Sequence, residues 1–273
     1  MSQFTSVIEP KLNPFKINFK EIWQYKELLW TLAYRDLRVK YAQTAIGFTW
    51  AIINPLFTIV ILSFVFGSVA KVDTGTTPHI IYTAAGMCGW TYFSALLGQA
   101  GNSIIGAQNM VKKIYFPRLI IPMSKAITAF VDLAIVLACI AILMIIYQTP
   151  ITSSIIYLPL FLGMAVISGL SAGIWMSALT IRYRDFTHIT PMLLRIGLYL
   201  TPIAYPASAV PEKYQVFFYM NPMAGVVEGV RWSLIGGEVP NNLIYISFVI
   251  VTLLFIAGLF YFNKTEKVMA DIL

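Results

Sequence analysis

The sequence predicts an all-α membrane protein with six transmembrane helices, and three observations lead there. Of the 273 residues, 58% are hydrophobic and only 11% charged, where a soluble domain carries about 25% charged residues. The apolar residues also fall in uninterrupted runs longer than the ~20 residues needed to cross a hydrocarbon core. Finally, Lys and Arg gather beside these runs in the asymmetric pattern by which basic loops stay in the cytoplasm during insertion.

An amphipathic helix comes first. Trp23, Trp30, Tyr34, Leu37 and Tyr41 recur at helical spacing among Lys and Arg, giving one apolar stripe suited to lying in the membrane interface. Residues 41–70 carry no charge between Lys40 and Lys71 and hold the first span, with its core at 48–69. Residues 74–111 supply the second, at 80–105, ahead of the basic cluster Lys112, Lys113 and Arg118. The third begins near Ile120 and carries one acid, Asp132. No charge occurs from Leu133 to Ile181, which is too long for one helix. Gln148-Thr149-Pro150 followed by Thr152, Ser153 and Ser154 marks the turn between spans three and four. The fifth span, 189–204, is short and punctuated by Pro191 and Pro202, with Pro206 just beyond it, and the sixth covers 243–262.

Residues 206–240 are too long and too apolar for a simple outer loop. A helix is expected at 212–220, a break at Asn221-Pro222, and a second helix at 224–235 that stops at Gly236-Gly237. Two arrangements fit. Half-spans can dip into the membrane against protein or a water-filled cavity, or both helices can lie flat on the outer surface.

Charge sets the orientation. Lys11, Lys16, Lys20, Lys26, Arg35, Arg38 and Lys40, then Lys112, Lys113, Arg118 and Lys125, then Arg182 and Arg184, then Lys264 and Lys267 all fall on one predicted face. Only Lys71, Lys213 and Arg231 fall on the other, and Arg195 lies within the membrane. Both termini are therefore expected in the cytoplasm. The chain divides into a cytoplasmic arm at 1–45 containing the interface helix, a six-span unit at 46–263, and a cytoplasmic tail at 264–273. The first apolar run follows a long charged stretch, so no cleavable signal peptide is expected.

Several functions are poorly supported. The net charge of +7 comes from residues beside apolar segments, so it reads as a topology signal and no nucleic-acid partner is expected. No glycine is followed by lysine, so the chain lacks a phosphate-cradling Walker A loop. His79 and His188 lie at opposite predicted faces, and Cys88 and Cys139 lie in apolar runs without ligand spacing. No catalytic, cofactor-binding or metal site is expected, and the chain is not read as an enzyme. An ion-driven transporter would show inverted repeats and several buried ionisable residues, and neither is visible. A purely scaffolding membrane protein would leave a partner's ATPase unstimulated.

Two charges stand inside predicted spans. Asp132 and Arg195 are costly there unless paired, hydrated or snorkelling, and a structural pair or separate interface contacts are expected. Glu228 and Arg231 are three apart on the second outer helix, where a local ion pair is the plain reading and a role in an outer gate the sharper one. Trp50, Asn54, Phe57 and Phe64 share one face of span one. Most such stripes face lipid or pack on neighbours.

Local runs carry a resemblance. YRDLRVKYAQTAIGFTWAIINPL (34–56) and NMVKKIYFPRLIIPMS (109–124), followed by RYRDF, TPIAYP and YMNPMAGVVEGVRWSLIGG in order, resemble the polysaccharide-export ABC permeases that move O-antigen, teichoic acid and capsule chains. The resemblance covers nearly the whole chain. It implies a multi-pass permease of the bacterial cytoplasmic membrane, working as a homodimer with two copies of a separate nucleotide-binding subunit that holds ATP and Mg2+. The implied substrate is a lipid-linked polysaccharide; the alternative is a permease of the same fold exporting a drug, lipid or other small substrate. The resemblance also implies that spans one and five line the channel, so Trp50, Asn54, Phe57 and Phe64 would face Tyr199 and Tyr205, offering flat aromatic surfaces to passing sugars. Asn109, Lys112, Lys113 and Arg118, with Tyr115 and Phe116 as an apolar plug ending at Pro117, would couple to the ATPase. Without it, that segment reads as a positive-inside loop. Asn221, Glu228 and Arg231 would belong to an outer gate.

Overall fold

The computed structural model describes residues 19–42, 49–267 and 269. Lys11, Lys16, the boundary at 45/46 and half of the predicted tail lie outside the described residues. Two helices, α1 (Phe19–Gln24) and α2 (Lys26–Ala42), precede the first span. That span is α3 (Thr49–Ser63), whose end widens into a π-helical turn over Phe64–Val69. Then come α4 (His79–Gly101), the short α5 (Ser103–Gly106) and α6 (Gln108–Lys113), and α7 (Ile120–Ile146). A 3-10 turn at Ser153–Tyr157 leads into α8 (Leu158–Arg182), followed by α9 (Phe186–Leu200), α10 (Glu212–Tyr219), α11 (Pro222–Ile235) and α12 (Ile244–Glu266).

Five helical stretches are long and apolar enough to span a membrane: Thr49–Val69, His79–Gly101, Ile120–Ile146, Ser153–Arg182 and Ile244–Glu266. The predicted fifth span differs. Its helix, α9, has 15 residues, a length of about 22 Å against ~30 Å of hydrocarbon. The sequence explains the stop, because Pro202 forces Thr201 into an extended conformation and lacks a donor of its own. The chain continues through 201–204 without helix, yet Thr201, Pro202, Ile203 and Ala204 are buried. Irregular backbone of this kind survives inside a membrane protein when other elements cover its polar groups.

The helix α4 is the axis of the fold. It packs against α3, α7, α8, α9 and α11, and 72% of its most apolar stretch is buried, against 11% for the first span. Glycine permits close approaches at α4 and at α11. A Cβ on Gly86 would meet the Ile203 carbonyl oxygen and the Arg231 guanidinium, and one on Gly229 of α11 would fall within the Phe161 ring of α8. The buried apolar residues form one large cluster around α4 and α11 and a second toward the predicted cytoplasmic end, where Leu32, Val111, Phe116, Ile120, Ile181 and Phe262 meet.

Burial differs sharply between the two helices of 206–240. Met223 through Val227, Gly229, Val230, Arg231, Ser233 and Leu234 of α11 are buried, and this helix is wedged among α4, α8 and α12. A helix lying flat on the surface would keep one face free along its length. By contrast, Tyr214, Val216 and Phe217 leave an exposed apolar edge on α10.

Candidate functional site

The first span carries the proposed channel residues on its outer face. Trp50 is 49% exposed, Phe57 65% and Phe64 62%, and Asn54 is exposed beside them. The opposite face of the same helix holds buried Ile59 and Leu62. On α9, Thr190, Leu194 and Gly197 lie against α4, while Met192, Arg195, Ile196 and Tyr199 point outward. Tyr205 is half-buried, donates its hydroxyl to the Tyr199 carbonyl at 3.1 Å and packs its ring 6.0 Å from Phe66. Within the protomer, then, Tyr205 meets α3 through Phe66, not through the Trp50, Phe57, Phe64 stripe.

At the predicted cytoplasmic end, α6 stops at Lys113, four residues before Pro117. Asn109, Lys112, Lys113 and Tyr115 are exposed, together with Ile114. Phe116 is only 2% exposed and belongs to the second buried cluster, with Ile120 and Phe262, so it is not available as part of an outward plug. Arg118 is also turned inward: its backbone N–H donates to Glu266 Oε1 at 2.9 Å and its guanidinium to the Glu266 carbonyl. A cation there complements the C-terminal end of α12. Tyr115 donates its hydroxyl to Glu21 Oε1 at 3.2 Å, so this segment ties α1 to the second buried cluster.

The stripe of the predicted interface helix runs over α1 and α2 and is split. Trp23, Trp30 and Tyr34 are exposed, whereas Leu32 and Ala33 are buried, and Leu37 and Tyr41 are half-buried. Two ion pairs clip α2 to α7. Asp36 pairs with Lys125, and Asp132 receives Lys40 Nζ at 2.6 Å and the Tyr41 hydroxyl at 3.0 Å. Burial and then the Asp132 charge push the Tyr41 phenol above its ordinary range. Asp132 therefore pairs with the interface helix and not with Arg195. Nothing local in the sequence signals Lys40, 92 positions away; the hint was the need of a buried acid for a cation.

In the outer insert, Glu228 and Arg231 do not pair with each other. Tyr219 donates its hydroxyl to Glu228. Arg231 is 6% exposed, lies over the Tyr82 ring at 3.9 Å, and donates to the Tyr82 hydroxyl at 2.9 Å and to the carbonyls of Pro202 and Ile203. Asn221 caps α11 by accepting from Met223 N–H at 3.0 Å and donates to Thr201 Oγ1 at 3.0 Å. Ser247 of α12 donates to the Tyr219 carbonyl at 2.7 Å. The predicted outer-gate residues are thus brought together as a polar network that fastens the break after α9 to α4, α11 and α12. Tyr82 and Thr201, which complete it, were not picked out in the sequence because each stands inside an apolar run with no periodic cue.

The O-antigen export system permease protein RfbA of Klebsiella pneumoniae is 27% identical over 248 residues, covering 90% of this chain and 95% of the relative. RfbA of Myxococcus xanthus is 23% identical over 252 residues, with 91% and 96% covered. The polysialic acid transport protein KpsM of Escherichia coli is 24% identical over 247 residues, with 87% and 93% covered. The ABC-2 type transporter profile matches residues 27–235, a stretch running from α2 to the end of α11. With its long apolar helices, this multi-pass membrane chain belongs to the ABC-2 type transporter family.

Proposed function

We propose that the chain is the permease subunit of an ATP-driven exporter that moves lipid-linked polysaccharide of O-antigen, capsule or teichoic acid type across the bacterial cytoplasmic membrane. Two copies work with two copies of a separate ATPase, which binds ATP and Mg2+, and both termini face the cytoplasm. The observation that carries the reading is the outward stripe Trp50, Asn54, Phe57 and Phe64 on a first span that is otherwise little covered. A homodimer would face two such stripes across a shared passage, each ring offering a flat surface over which a sugar chain can slide without fixed register. Relatives named for O-antigen export and polysialic acid transport support a glycan cargo. Exposed Asn109, Lys112, Lys113, Ile114 and Tyr115 supply the surface for the ATPase.

The test is export of glycan by the permease coexpressed with its ATPase, read beside protein abundance and glycan-stimulated ATP hydrolysis. Changing Phe57 and Phe64 together to Leu keeps apolar volume near its original value and removes both ring faces. Export falls at normal abundance if the stripe carries the polymer. Normal export by that variant would place the rings against lipid or a neighbouring helix and remove the sliding surface.

A further inference from the structure

Arg195 stands ten residues into α9, on the side turned away from α4. Helical geometry puts His188, Arg195 and Tyr199 on one line of that outer side, flanked by exposed Met192 and Ile196. No hydrogen bond or ion pair among the described residues engages the Arg195 guanidinium or the His188 ring. A guanidinium on an apolar helix in a membrane calls for an anion or for water. Of the carboxylates on the long helices, Asp132 is held by Lys40 and Tyr41 and Glu266 by Arg118, and on α11 Glu228 is held by Tyr219; the exposed acids of 206–240 are Glu212 and Glu238.

We propose that the His188, Arg195, Tyr199 face of α9 binds the phosphate-bearing junction between lipid and glycan in the transported substrate. This rests on the reading of the cargo as lipid-linked polysaccharide. About 10 Å of helix separates His188 from Arg195, a gap that a diphosphate and the long arginine side chain span together. Arginine suits it because its fork donates two parallel bonds to phosphate oxygens. His188 adds a ring N–H donor. Met192 and Ile196 flank these donors with apolar surface for the lipid, and Tyr199 lies one turn beyond Arg195, where the first sugar ring would rest.

The test uses the full-length permease with its ATPase in nanodiscs of neutral lipid. Retention of polyprenyl diphosphate, the uncharged polyprenol and phosphatidylglycerol is measured by native mass spectrometry, alongside glycan export in cells. Arg195→Gln is expected to weaken polyprenyl diphosphate about tenfold, the scale of one lost charged hydrogen bond, with polyprenol and phosphatidylglycerol unchanged. Arg195→Lys recovers part of the loss, and His188→Gln gives a smaller one. Equal retention of the diphosphate by wild type and Arg195→Gln overturns the site, as does parallel loss of phosphatidylglycerol, which marks a general anionic-lipid contact. Failure of the wild type to export any glycan refutes the polysaccharide reading instead, and the binding arm reports separately.

Discussion

Two arginines on neighbouring elements show how differently one residue type can be used. Arg231 is enclosed by the Tyr82 ring and hydroxyl and by the carbonyls of Pro202 and Ile203. Arg195 is exposed, on the side of α9 turned away from α4. The first satisfies the chain's own polar backbone, which the proline break after α9 leaves without helical partners. The second has its donors free. The comparison teaches that the cost of a charge in an apolar setting is met either within the fold or from outside it. Only the second case points to a ligand.

The largest effect expected from this contrast is the loss of Arg231. Arg231→Met leaves two carbonyls and a tyrosine hydroxyl without their donor, and breaking such a buried charged cluster costs ~3–5 kcal/mol. A sharp fall in membrane abundance and melting temperature is expected, with Arg231→Lys intermediate because an ammonium cannot reproduce the fork. A Met variant as stable as wild type would mean that the break is held by other contacts.

Next comes the packing beside it. Gly229→Val drives side-chain atoms into Phe161, and overpacking of this kind costs ~1–3 kcal/mol. The pairing of Gly229→Val with Phe161→Ala should be less damaging than the sum of the two changes. Additive losses, measured by thermal melting in detergent, would place the strain elsewhere.

A smaller effect is expected at the clip between α2 and α7. Lys40 is partly exposed, so removing the pair by Lys40→Met costs ~1 kcal/mol, and joining it to Asp132→Asn adds little. High salt should narrow the difference between wild type and variant. A loss unaffected by salt would point to packing rather than charge.

The smallest effect on stability is expected at Arg195. Arg195→Gln should shift stability by less than ~0.5 kcal/mol, as for surface positions without structural partners. A large fall in melting temperature would show that Arg195 has a structural partner in the assembled protein, and the contrast between the two arginines would collapse.

Much of the molecule was legible in its sequence. The uncharged runs gave the order and approximate ends of α3, α4, α7, α8 and α12, the Gln148-Thr149-Pro150 turn separated α7 from α8, and Asn221-Pro222 and Gly236-Gly237 bounded α11. The brevity of the fifth segment was visible in its prolines, although its helix ends at Leu200 rather than running to Ala204. That Phe116 and Arg118 turn inward was not legible, because a basic, aromatic loop looks the same whether its side chains turn out or fold back on α12.

What the sequence determined by itself was the membrane character of the chain, its succession of helices and its family-like blocks, since hydropathy and charge are properties of consecutive residues. Tertiary structure alone decided which face of each helix is inside. Lipid is as apolar as a helical interface, so a span such as α3 carries no amphipathic pattern that separates buried Ile59 from exposed Phe57. It also decided the partners of the charges. Asp132 finds Lys40 across 92 positions, and Arg231 finds Tyr82 across 149, because a buried ion is stabilised by whichever opposite group the packing brings within ~3 Å, however far away along the chain.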